Sequence, residues 1–414
     1  MKIALFHNSP GYGNKRAIYY LAKGLMEKGH QIDVFVPQTA NEDYLPLRNL
    51  DLNIRSYGPV HRPRPINLKP FVLEGAVEVG QEWFYQRRMN QIQRKVACDI
   101  NSNQYDAVYV DRCRATSSPF ILKYLKTPSV YYCHEPWRNG YENIVEEWQC
   151  KFRENISVFR LLSQKVYSSM RQLQKYYLKK LDRSNALKAS RVVTNSKYTS
   201  GYIWNAYGRE AMVSYLGVDT TVFKPLSLER QRLVLSVGRL QQLKRHDLTI
   251  RALGLVPIEN RPKFVIISDR ESARNASELK ILARELSVNL DIIFNVTDTE
   301  LVEWYNRAQV VTYMSVKEPF GLVAIEAMAC GTPVIGVREG GLQESILDGK
   351  TGFLIDAEPK ACAKAIQTLL NNSNLREKMG QAGIEHINQN WTWKIAAERF
   401  ENHLFEVRTK CVGL

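Results

Sequence analysis

The chain has 414 residues, 44% of them hydrophobic, and a net charge of +15. This length suits two globular domains, and no apolar run approaches the roughly eighteen residues that a membrane-spanning helix needs. The seven cysteines are scattered, with no C-x-x-C pair, so they indicate neither a disulfide framework nor a zinc site and favour a reducing cytosol.

The positive charge is concentrated in the first half of the chain. Residues 1–215 contain 32 Lys and Arg against 18 Asp and Glu, whereas residues 216–414 contain 25 against 24. A basic half of this kind suits an anionic membrane surface, nucleic acid or an acidic acceptor, and the charge alone leaves all three open.

The first half predicts alternating strands and helices. The amino terminus is expected to form a buried strand, KIALF, rather than a signal peptide, followed by the loop SPGYGNKRA, the helix AIYYLAKGLMEKG and the strand QIDVFVP. Residues 37–80 are expected to form loops and short strands, because HRPRPINLKP is too rich in proline for a long helix. The elements predicted next are the helix QEWFYQRRMNQIQRKVA, the strand YDAVYVDR, the helix SSPFILKYLK and the strand PSVYYCHEP.

His134 follows directly after the last of these strands. Ligands of doubly wound sheets bind at the carboxyl ends of the strands, so this position predicts that His134 lies at a binding site. The alternative is a histidine with a structural role only.

A long helix, or two in line, is predicted from Trp148 to Leu181, because apolar residues recur there at steps of three and four. Two interpretations remain open. The helix presents a basic surface that docks on anionic lipid, or it is a solvated helix whose apolar stripe lies in the domain core. The basic side chains on its other faces are Lys151, Arg153, Arg160, Lys165, Arg171, Lys175, Lys179 and Lys180.

The second half alternates strands and helices more regularly. RLVLSV is predicted to be a strand that ends at Gly238, with Arg239 beside it and Lys244 just before a helix. Two cations at a strand end can hold a diphosphate and neutralise the charge that develops on a leaving group. The strands predicted after this one are FVIIS, DIIF, VVTYMS, VIGV and TGFLID, with helices between them.

The most informative segment is VKEPFGLVAIEAMACGTPVIGVREGGLQESI, residues 316–346. Pro319 disfavours helical geometry at Glu318, and Gly321 lets the backbone approach a ligand closely, so a helix is expected from about Leu322. Free amides at the start of a helix favour a phosphate. Glu326, about one turn inside this helix, can accept hydrogen bonds from vicinal hydroxyls such as those of a ribose. A phosphate and a diol together suggest a nucleotide.

The two glutamates, within EPFGLVAIEAMACGTPV and followed by GG and E, resemble the E-x7-E motif of the retaining glycosyltransferases of family 4. That family has the α/β fold called GT-B, in which two Rossmann-like doubly wound domains face each other across a cleft and a C-terminal helix crosses back to the first domain. The resemblance implies an acceptor-binding domain at 1–215, a nucleotide-sugar-binding domain at 216–390 and a terminal helix at 391–414.

The resemblance also implies roles for single residues. The expected catalytic residues are His134, Glu318, Arg239 and Lys244. Glu318 would lie by the donor sugar and Glu326 on the ribose. The expected donor-binding residues are Gly11, Gly13, Gly238, Arg239, Lys244, Asn295, Val296, Glu318, Phe320, Gly321, Leu322 and Glu326. The expected acceptor-binding residues are Lys15, Arg16, His134 and Asn195. One departure is the segment 268–270, Ser-Asp-Arg, where relatives usually have a glycine-rich turn.

The function implied is transfer of a sugar, with retention, from a nucleotide-diphosphate sugar to a hydroxyl of a glycolipid, a polysaccharide or a small metabolite. No D-x-D pair occurs, so no metal and no cofactor are expected. The expected partners are the nucleotide sugar, an acceptor and an anionic membrane surface at the basic half, but not nucleic acid; the expected location is the cytoplasm, peripheral on the inner membrane face. The alternatives are a nucleotide-sugar epimerase or phosphorylase of the same fold, or a non-catalytic sugar-nucleotide-binding protein.

Overall fold

A computed structural model describes residues 1–9, 13–60, 71–142 and 158–412. The chain divides into two compact units. Unit 1 consists of Met1–Asn195, Ser200–Ser214 and Ala397–Leu414, and unit 2 consists of Ser196–Thr199 and Tyr215–Ala396. Each unit is built around its own parallel sheet.

The sheet of unit 1 has seven strands, which are β1 (Lys2–Asn8), β2 (Gln31–Pro37), β3 (Asn53–Tyr57), β4 (Ala107–Cys113), β5 (Ser129–Tyr132), β6 (Arg191–Thr194) and β7 (Met212–Val213). Their order is β3-β2-β1-β4-β5-β6-β7, and every neighbouring pair is parallel. The central strands are continuous apolar runs because helices cover both faces of such a sheet.

The helices of the first half are α1 (Gly13–Glu27), α2 (Phe71–Ser102), α3 (Arg138–Tyr141), α4 (Val158–Ala186) and α5 (Lys197–Tyr207). Side chains of α2, such as Val96 and Ile100, pack with Phe6 and Val110 of the sheet in one buried core. No helix in the described ranges is long and apolar enough to cross a membrane.

Two expectations for this half are wrong. Residues 37–80 were expected to lack a helix, but α2 begins at Phe71. The glycines of LEGAVEVG weaken the local helix signal, whereas in the fold this part of α2 contacts α4 through the ion pair of Glu78 with Arg171. The segment SSPFILKYLK was expected to be a helix, but only Phe120–Lys123 forms a short 3-10 turn. Its apolar side chains are buried in the core instead.

The apolar stripe of α4 does not lie wholly in the core. Leu181 is buried, but Val166, Leu173 and Tyr177 are 49%, 70% and 50% exposed. The interpretation that placed the whole stripe in the domain core is therefore wrong for these residues. The earlier part of the predicted helix, 148–157, lies outside the described residues.

The sheet of unit 2 has six strands, which are β8 (Gln231–Val237), β9 (Lys263–Ser268), β10 (Leu290–Phe294), β11 (Ala308–Tyr313), β12 (Val334–Val337) and β13 (Gly352–Ile355). Their order is β10-β9-β8-β11-β12-β13, again all parallel. The helices between and after them are α6 (His246–Gly254), α7 (Ala273–Glu285), α8 (Asp298–Arg307), α9 (Leu322–Ala329), α10 (Leu342–Ser345), α11 (Pro359–Asn371) and α12 (Ser373–Asn390).

The last helix, α13 (Trp393–Val412), returns the chain to unit 1. Phe400 packs edge-on against Tyr109, with the ring centroids 4.6 Å apart. Glu401 lies 2.6 Å from Nε2 of His30, and Arg408 pairs with Asp106 at 3.1 Å. The end of the chain thus supplies one helix of unit 1, which confirms the expectation that the terminal helix crosses back to the first domain.

Candidate functional site

The carboxyl ends of β8 and β11 in unit 2 bring Lys244 and Glu318 together. Lys244 Nζ donates to Glu318 Oε2 at 2.8 Å and to the hydroxyl of Tyr313 at 3.0 Å. Ser315 Oγ donates to the same carboxylate oxygen at 2.6 Å. Lys244 and Ser315 therefore hold the carboxylate of Glu318 directly, and Tyr313 holds Lys244 in place.

Lys244 is a permanent cation at this site. Burial lowers its pKa, but the negative charge of Glu318 and their hydrogen bond outweigh burial, so the pKa stays above its usual value. The hydroxyl of Tyr313 has a raised pKa, because it is buried and lies close to the same carboxylate. At neutral pH Lys244 is thus an ammonium and Tyr313 a neutral phenol.

Arg239 follows β8 directly, and its guanidinium Nε lies 3.3 Å from Asp269 Oδ2. Asp269 follows β9, in the segment where relatives usually have a glycine-rich turn. Both side chains are partly exposed, 41% for Arg239 and 26% for Asp269. The departure from the family pattern therefore places a carboxylate beside the cation predicted to hold the diphosphate.

The loop before α9 has the geometry expected from its sequence. Gly321 is the N-cap residue of α9 and has a left-handed φ of +96°. A Cβ at this position would lie 2.5 Å from Leu342 Cδ2. Gly340 has φ +63°, and its Cβ would lie 2.3 Å from the carbonyl oxygen of Glu318. The two glycine positions thus let the 318–321 loop and the start of α10 lie against each other, with the half-buried Leu322 as the first residue of α9.

Glu326 lies inside α9 and is only 4% exposed. Its Oε2 accepts a hydrogen bond from the hydroxyl of Tyr305 at 3.0 Å. Phe320 is also buried and packs against Trp391, with the ring centroids 5.6 Å apart. The structure therefore gives both residues protein partners, whereas the cluster around Glu318 is more open.

The other donor-binding positions predicted in unit 2 lie at the ends of strands. Gly238 follows β8 with φ +153°. Asn295 follows β10, is exposed and has φ +56°, and Val296 is half-buried next to it. All of these belong to the carboxyl edge of the same sheet.

A second polar cluster lies at the carboxyl edge of the sheet in unit 1. His7 Nε2 is 3.0 Å from Glu42 Oε1, and Lys15 Nζ forms an ion pair with the same oxygen. The side chains of His7 and Lys15 are fully buried, and that of Glu42 is 25% exposed. Burial raises the pKa of Glu42, but its bonds to His7 and Lys15 outweigh this and lower the pKa to about 2. Burial also lowers the pKa of His7, which favours the neutral ring.

His134 lies near this cluster at the end of β5 and pairs with a buried carboxylate. Its Nε2 is 3.1 Å from Asp111 Oδ2, and the same oxygen accepts a hydrogen bond from the hydroxyl of Tyr109 at 2.8 Å. Asn195 donates to the backbone carbonyl of His134 at 3.1 Å. The histidine is only 5% exposed, and its ring is held by Asp111 of β4, which Tyr109 of the same strand also contacts.

The remaining predicted residues of unit 1 fall in different surroundings. Gly11 lies outside the described residues. Gly13 is the exposed first residue of α1. Lys15 is enclosed and paired with Glu42, and Arg16 donates to the hydroxyl of Tyr44 at 2.7 Å. Of the two basic residues predicted to meet the acceptor, Lys15 therefore lies in the interior.

Sequence reasoning missed several members of both clusters. Tyr313 ends β11 and Asp111 lies two residues before the end of β4, so the strand-end rule that found His134 could have found both. Asp269 was noted only as a departure from the family pattern. Glu42 lies in a segment without regular structure, and no spacing relates it to His7. Among the described residues, no group of three or more His, Cys, Asp or Glu side chains is placed to hold a metal ion.

Two parallel Rossmann-like sheets, each with polar groups at its carboxyl edge, define the class of protein. Residues 218–386 match the family described as Glycosyl transferases group 1, and residues 13–222 match the one described as Glycosyltransferase Family 4. The chain belongs to glycosyltransferase family 4, and the predicted GT-B fold class is confirmed.

Curated relatives of this chain are described as D-inositol 3-phosphate glycosyltransferases. The one from Corynebacterium diphtheriae is 39% identical over 175 residues, which are 40% of each chain. The one from Acidothermus cellulolyticus is 35% identical over 221 residues, 48% of this chain and 49% of the relative. The matched part thus spans about half the length of these relatives or less.

Among solved structures, the Anabaena protein HepE in complex with UDP-glucose matches with a TM-score of 0.69 at 18% identity, and the match covers 98% of this chain and 100% of HepE. This likeness shows a shared fold.

Proposed function

We propose that this chain is a retaining glycosyltransferase that moves a sugar from a nucleotide-diphosphate sugar to an acceptor hydroxyl. The observation that carries the proposal is the cluster of Arg239, Lys244 and Glu318 at the edge of the unit 2 sheet. Lys244 is permanently charged and largely enclosed, and Arg239 is partly exposed. The loop that holds Glu318 leads directly into α9.

This arrangement supplies positive charge for a diphosphate without a metal. Arg239 and Lys244 would contact the phosphates, and the free amides at Gly321 and Leu322 would add the positive end of a helix. Because the charge is fixed before the reaction, it stabilises the nucleoside diphosphate as negative charge develops on it. Glu318 would orient Lys244 and reach the donor sugar, and Glu326 would meet the ribose.

The chemical step exchanges one bond for another at the anomeric carbon. The acceptor oxygen forms a bond to that carbon, the bond from the carbon to the diphosphate oxygen breaks, and the electron pair leaves with the nucleoside diphosphate. The acceptor oxygen approaches the face from which the diphosphate departs, so configuration is retained, and the acceptor proton passes to an oxygen of the departing phosphate. We assign no protein nucleophile, and no cofactor is part of the proposal.

Unit 1 would bind the acceptor. His134, fixed by Asp111, is proposed to lie by the transferred sugar, with Arg16 and Asn195 at the acceptor and Gly13 by the donor phosphates. A glycolipid, a polysaccharide or a small metabolite could supply the hydroxyl. The relatives' description makes D-inositol 3-phosphate the first soluble acceptor to test, and UDP-glucose is the first donor to test because HepE binds it.

Two alternatives predict different products. An epimerase of this fold would release a converted sugar without any acceptor, and a phosphorylase would need inorganic phosphate. A non-catalytic binding protein would bind the nucleotide and release nothing. No observation on this chain favours any of these alternatives over a glycosyltransferase.

The test compares Arg239→Ala and Lys244→Ala with two matched cation variants of the same unit, Lys263→Ala and Arg307→Ala, whose side chains are 43% and 38% exposed and lie at the opposite, amino edge of the sheet, where β9 and β11 begin. A thermal-shift panel of nucleoside diphosphates and their sugar conjugates first identifies the donor, and transfer or slow donor hydrolysis is then measured. We expect the first pair to lose at least about a hundredfold in rate, as for removal of a group that stabilises the leaving charge, and the control pair to stay near wild type.

Near-normal turnover in both cluster variants would overturn the phosphate assignment. A folded protein whose melting temperature no nucleotide raises would overturn the proposed donor class as a whole.

A further inference from the structure

Unit 1 exposes a group of large apolar side chains on two neighbouring helices. Trp83 and Phe84 of α2 are 55% and 60% exposed, and Leu173, Tyr176 and Tyr177 of α4 are 70%, 58% and 50% exposed. Single exposed apolar residues are ordinary, but a contiguous group on a protein surface marks an interaction site.

The two helices form one continuous surface. Arg171 of α4 pairs with Glu78 of α2, and an open, largely apolar cavity of about 280 Å³ lies between the helices, lined by residues that include Trp83, Leu173 and Tyr177. We call this surface, made by residues 83, 84, 173, 176 and 177 with the cavity between them, the α2–α4 face.

Cations border the apolar side chains of this face, and one carboxylate, that of Glu82, lines the cavity between the helices. Three of the aromatic rings have a cation above them: Arg87 over Trp83 at 5.7 Å, Arg88 over Phe84 at 5.9 Å and Lys180 over Tyr176 at 4.6 Å. The sequence of α4 contains seven Lys and Arg but one acidic residue, and that residue, Asp182, is buried. The net charge that this helix presents is therefore strongly positive.

A second cavity extends the basic surface along α2. Its volume is about 520 Å³, and its lining includes Arg88, Arg94 and Lys95, with no acidic residue. Phe84, Arg88, Gln91 and Lys95 follow each other at steps of four, three and four, so they share one side of the helix. The exposed ring and the cations of this cavity therefore face the same way.

We propose that the α2–α4 face docks on the surface of an anionic lipid bilayer, with the aromatic and leucine side chains inserted at the level of the headgroups and the cations on the lipid phosphates. Aromatic rings with one apolar and one polar side, flanked by Lys and Arg, suit the membrane interface. Each cation near such a surface adds about 1 kcal/mol. Charge complementarity favours this occupant over a second copy of the chain, because two copies would bring the same cations together.

The α2–α4 face is thus the surface through which the basic half would associate with a membrane. This proposal rests on the proposed function only for the reason that docking would be useful, because a glycolipid acceptor lies in the bilayer. Docking is measured without donor or acceptor. Its failure would leave the transfer reaction untouched, and failure of the transfer assay would leave docking untouched.

The test is co-sedimentation of the full chain with vesicles of phosphatidylcholine, alone or with added phosphatidylglycerol, at low and high salt. We expect binding that needs phosphatidylglycerol and weakens with salt. Trp83→Ser/Phe84→Ser and Leu173→Ser/Tyr177→Ser should each lower partitioning at least about tenfold. Arg87→Gln/Arg88→Gln should lower it roughly fivefold per cation removed, at low salt only.

The matched control is Trp204→Ser. Trp204 is 60% exposed in the same unit, on α5, and its loss should leave partitioning within about twofold of wild type, as for a residue that does not enter the lipid. Circular dichroism verifies the fold of every variant. Tryptophan emission should shift to the blue on phosphatidylglycerol vesicles in the wild type and much less in Trp83→Phe.

Three results would overturn the proposal. The first is equal sedimentation with and without phosphatidylglycerol. The second is an effect of Trp204→Ser as large as that of Trp83→Ser/Phe84→Ser. The third is a dimer in analytical ultracentrifugation that Trp83→Ser/Phe84→Ser dissociates, because a second copy would then occupy the face.

Discussion

Replacing Glu42 by glutamine tests whether the buried cluster of unit 1 is held together by this one carboxylate. In the wild type, Glu42 accepts from Lys15 and lies 3.0 Å from His7, and both partners are fully buried. Glutamine keeps the shape of the side chain but removes its charge. The ammonium of Lys15 would then be buried without its hydrogen-bonded anion, with only the weaker charge effect of Asp111 left, which costs about 3–5 kcal/mol.

The pKa of Lys15 sets an upper limit on this cost. Burial lowers that pKa below its usual 10.5, and Glu42 is the main group that raises it. Without the carboxylate, Lys15 can lose its proton instead of remaining charged. At pH 7 this release costs at most about 4.8 kcal/mol, since the pKa of 10.5 lies 3.5 units above the pH and each unit is worth about 1.36 kcal/mol.

A urea titration followed by circular dichroism measures the loss. Glu42→Gln should lose about 3–5 kcal/mol of unfolding free energy, and the double variant Lys15→Met/Glu42→Gln should recover most of it, because no unpaired charge remains. If Lys15 is neutral in folded Glu42→Gln, its folded pKa is below its unfolded one, so stability rises with pH, by up to about 2.7 kcal/mol from pH 7 to 9. A loss below about 1 kcal/mol, or a double variant less stable than the single one, would refute the reasoning.

Two further predictions concern unit 2. Gly321→Ala should lower the unfolding free energy by about 1–3 kcal/mol and weaken donor binding, because φ is +96° and the new Cβ would lie 2.5 Å from Leu342 Cδ2. The control Gly349→Ala, with φ +75° and open space, should lose only the stability that the strained backbone costs. Equal losses in the two urea titrations would contradict this. Burial lowers the pKa of His246 to about 4 from 6.5, so the neutral ring stabilises the fold above pH 6.5 and this contribution falls as the pH drops toward 4. Between pH 7 and 5 the wild type should lose about 2 kcal/mol more than His246→Asn, and identical pH profiles would refute the assignment.

Much of the fold could be predicted from the sequence because strands of parallel sheets are continuous apolar runs. QIDVFVP was expected as a strand and is β2, and the helix expected from Leu322 begins there. The start of α2 was missed because its glycines give a weak local signal, although packing against the sheet makes the helix stable. The turn at Phe120 was missed because an apolar run of four residues fits a helix and a buried turn equally well.

The candidate site was predictable in its members but not in their pairing. The motifs identified Lys244 and Glu318 separately, 74 positions apart, and only the folded chain shows that they form an ion pair. Asp269 was recognised as a departure from the family pattern, whereas its contact with Arg239 depends on the positions of two strand ends. Glu42 gave no signal, because an isolated glutamate in an irregular segment matches no motif.

The position of α13 has a consequence for synthesis of the protein. The strands of unit 1 are synthesised early, yet Phe400 and Glu401, which pack on Tyr109 and His30, leave the ribosome only after unit 2 up to Ala396. A nascent chain therefore carries an unfinished first unit while its second unit folds, and the aromatic rings that Phe400 covers stay open to chaperones until α13 has been synthesised.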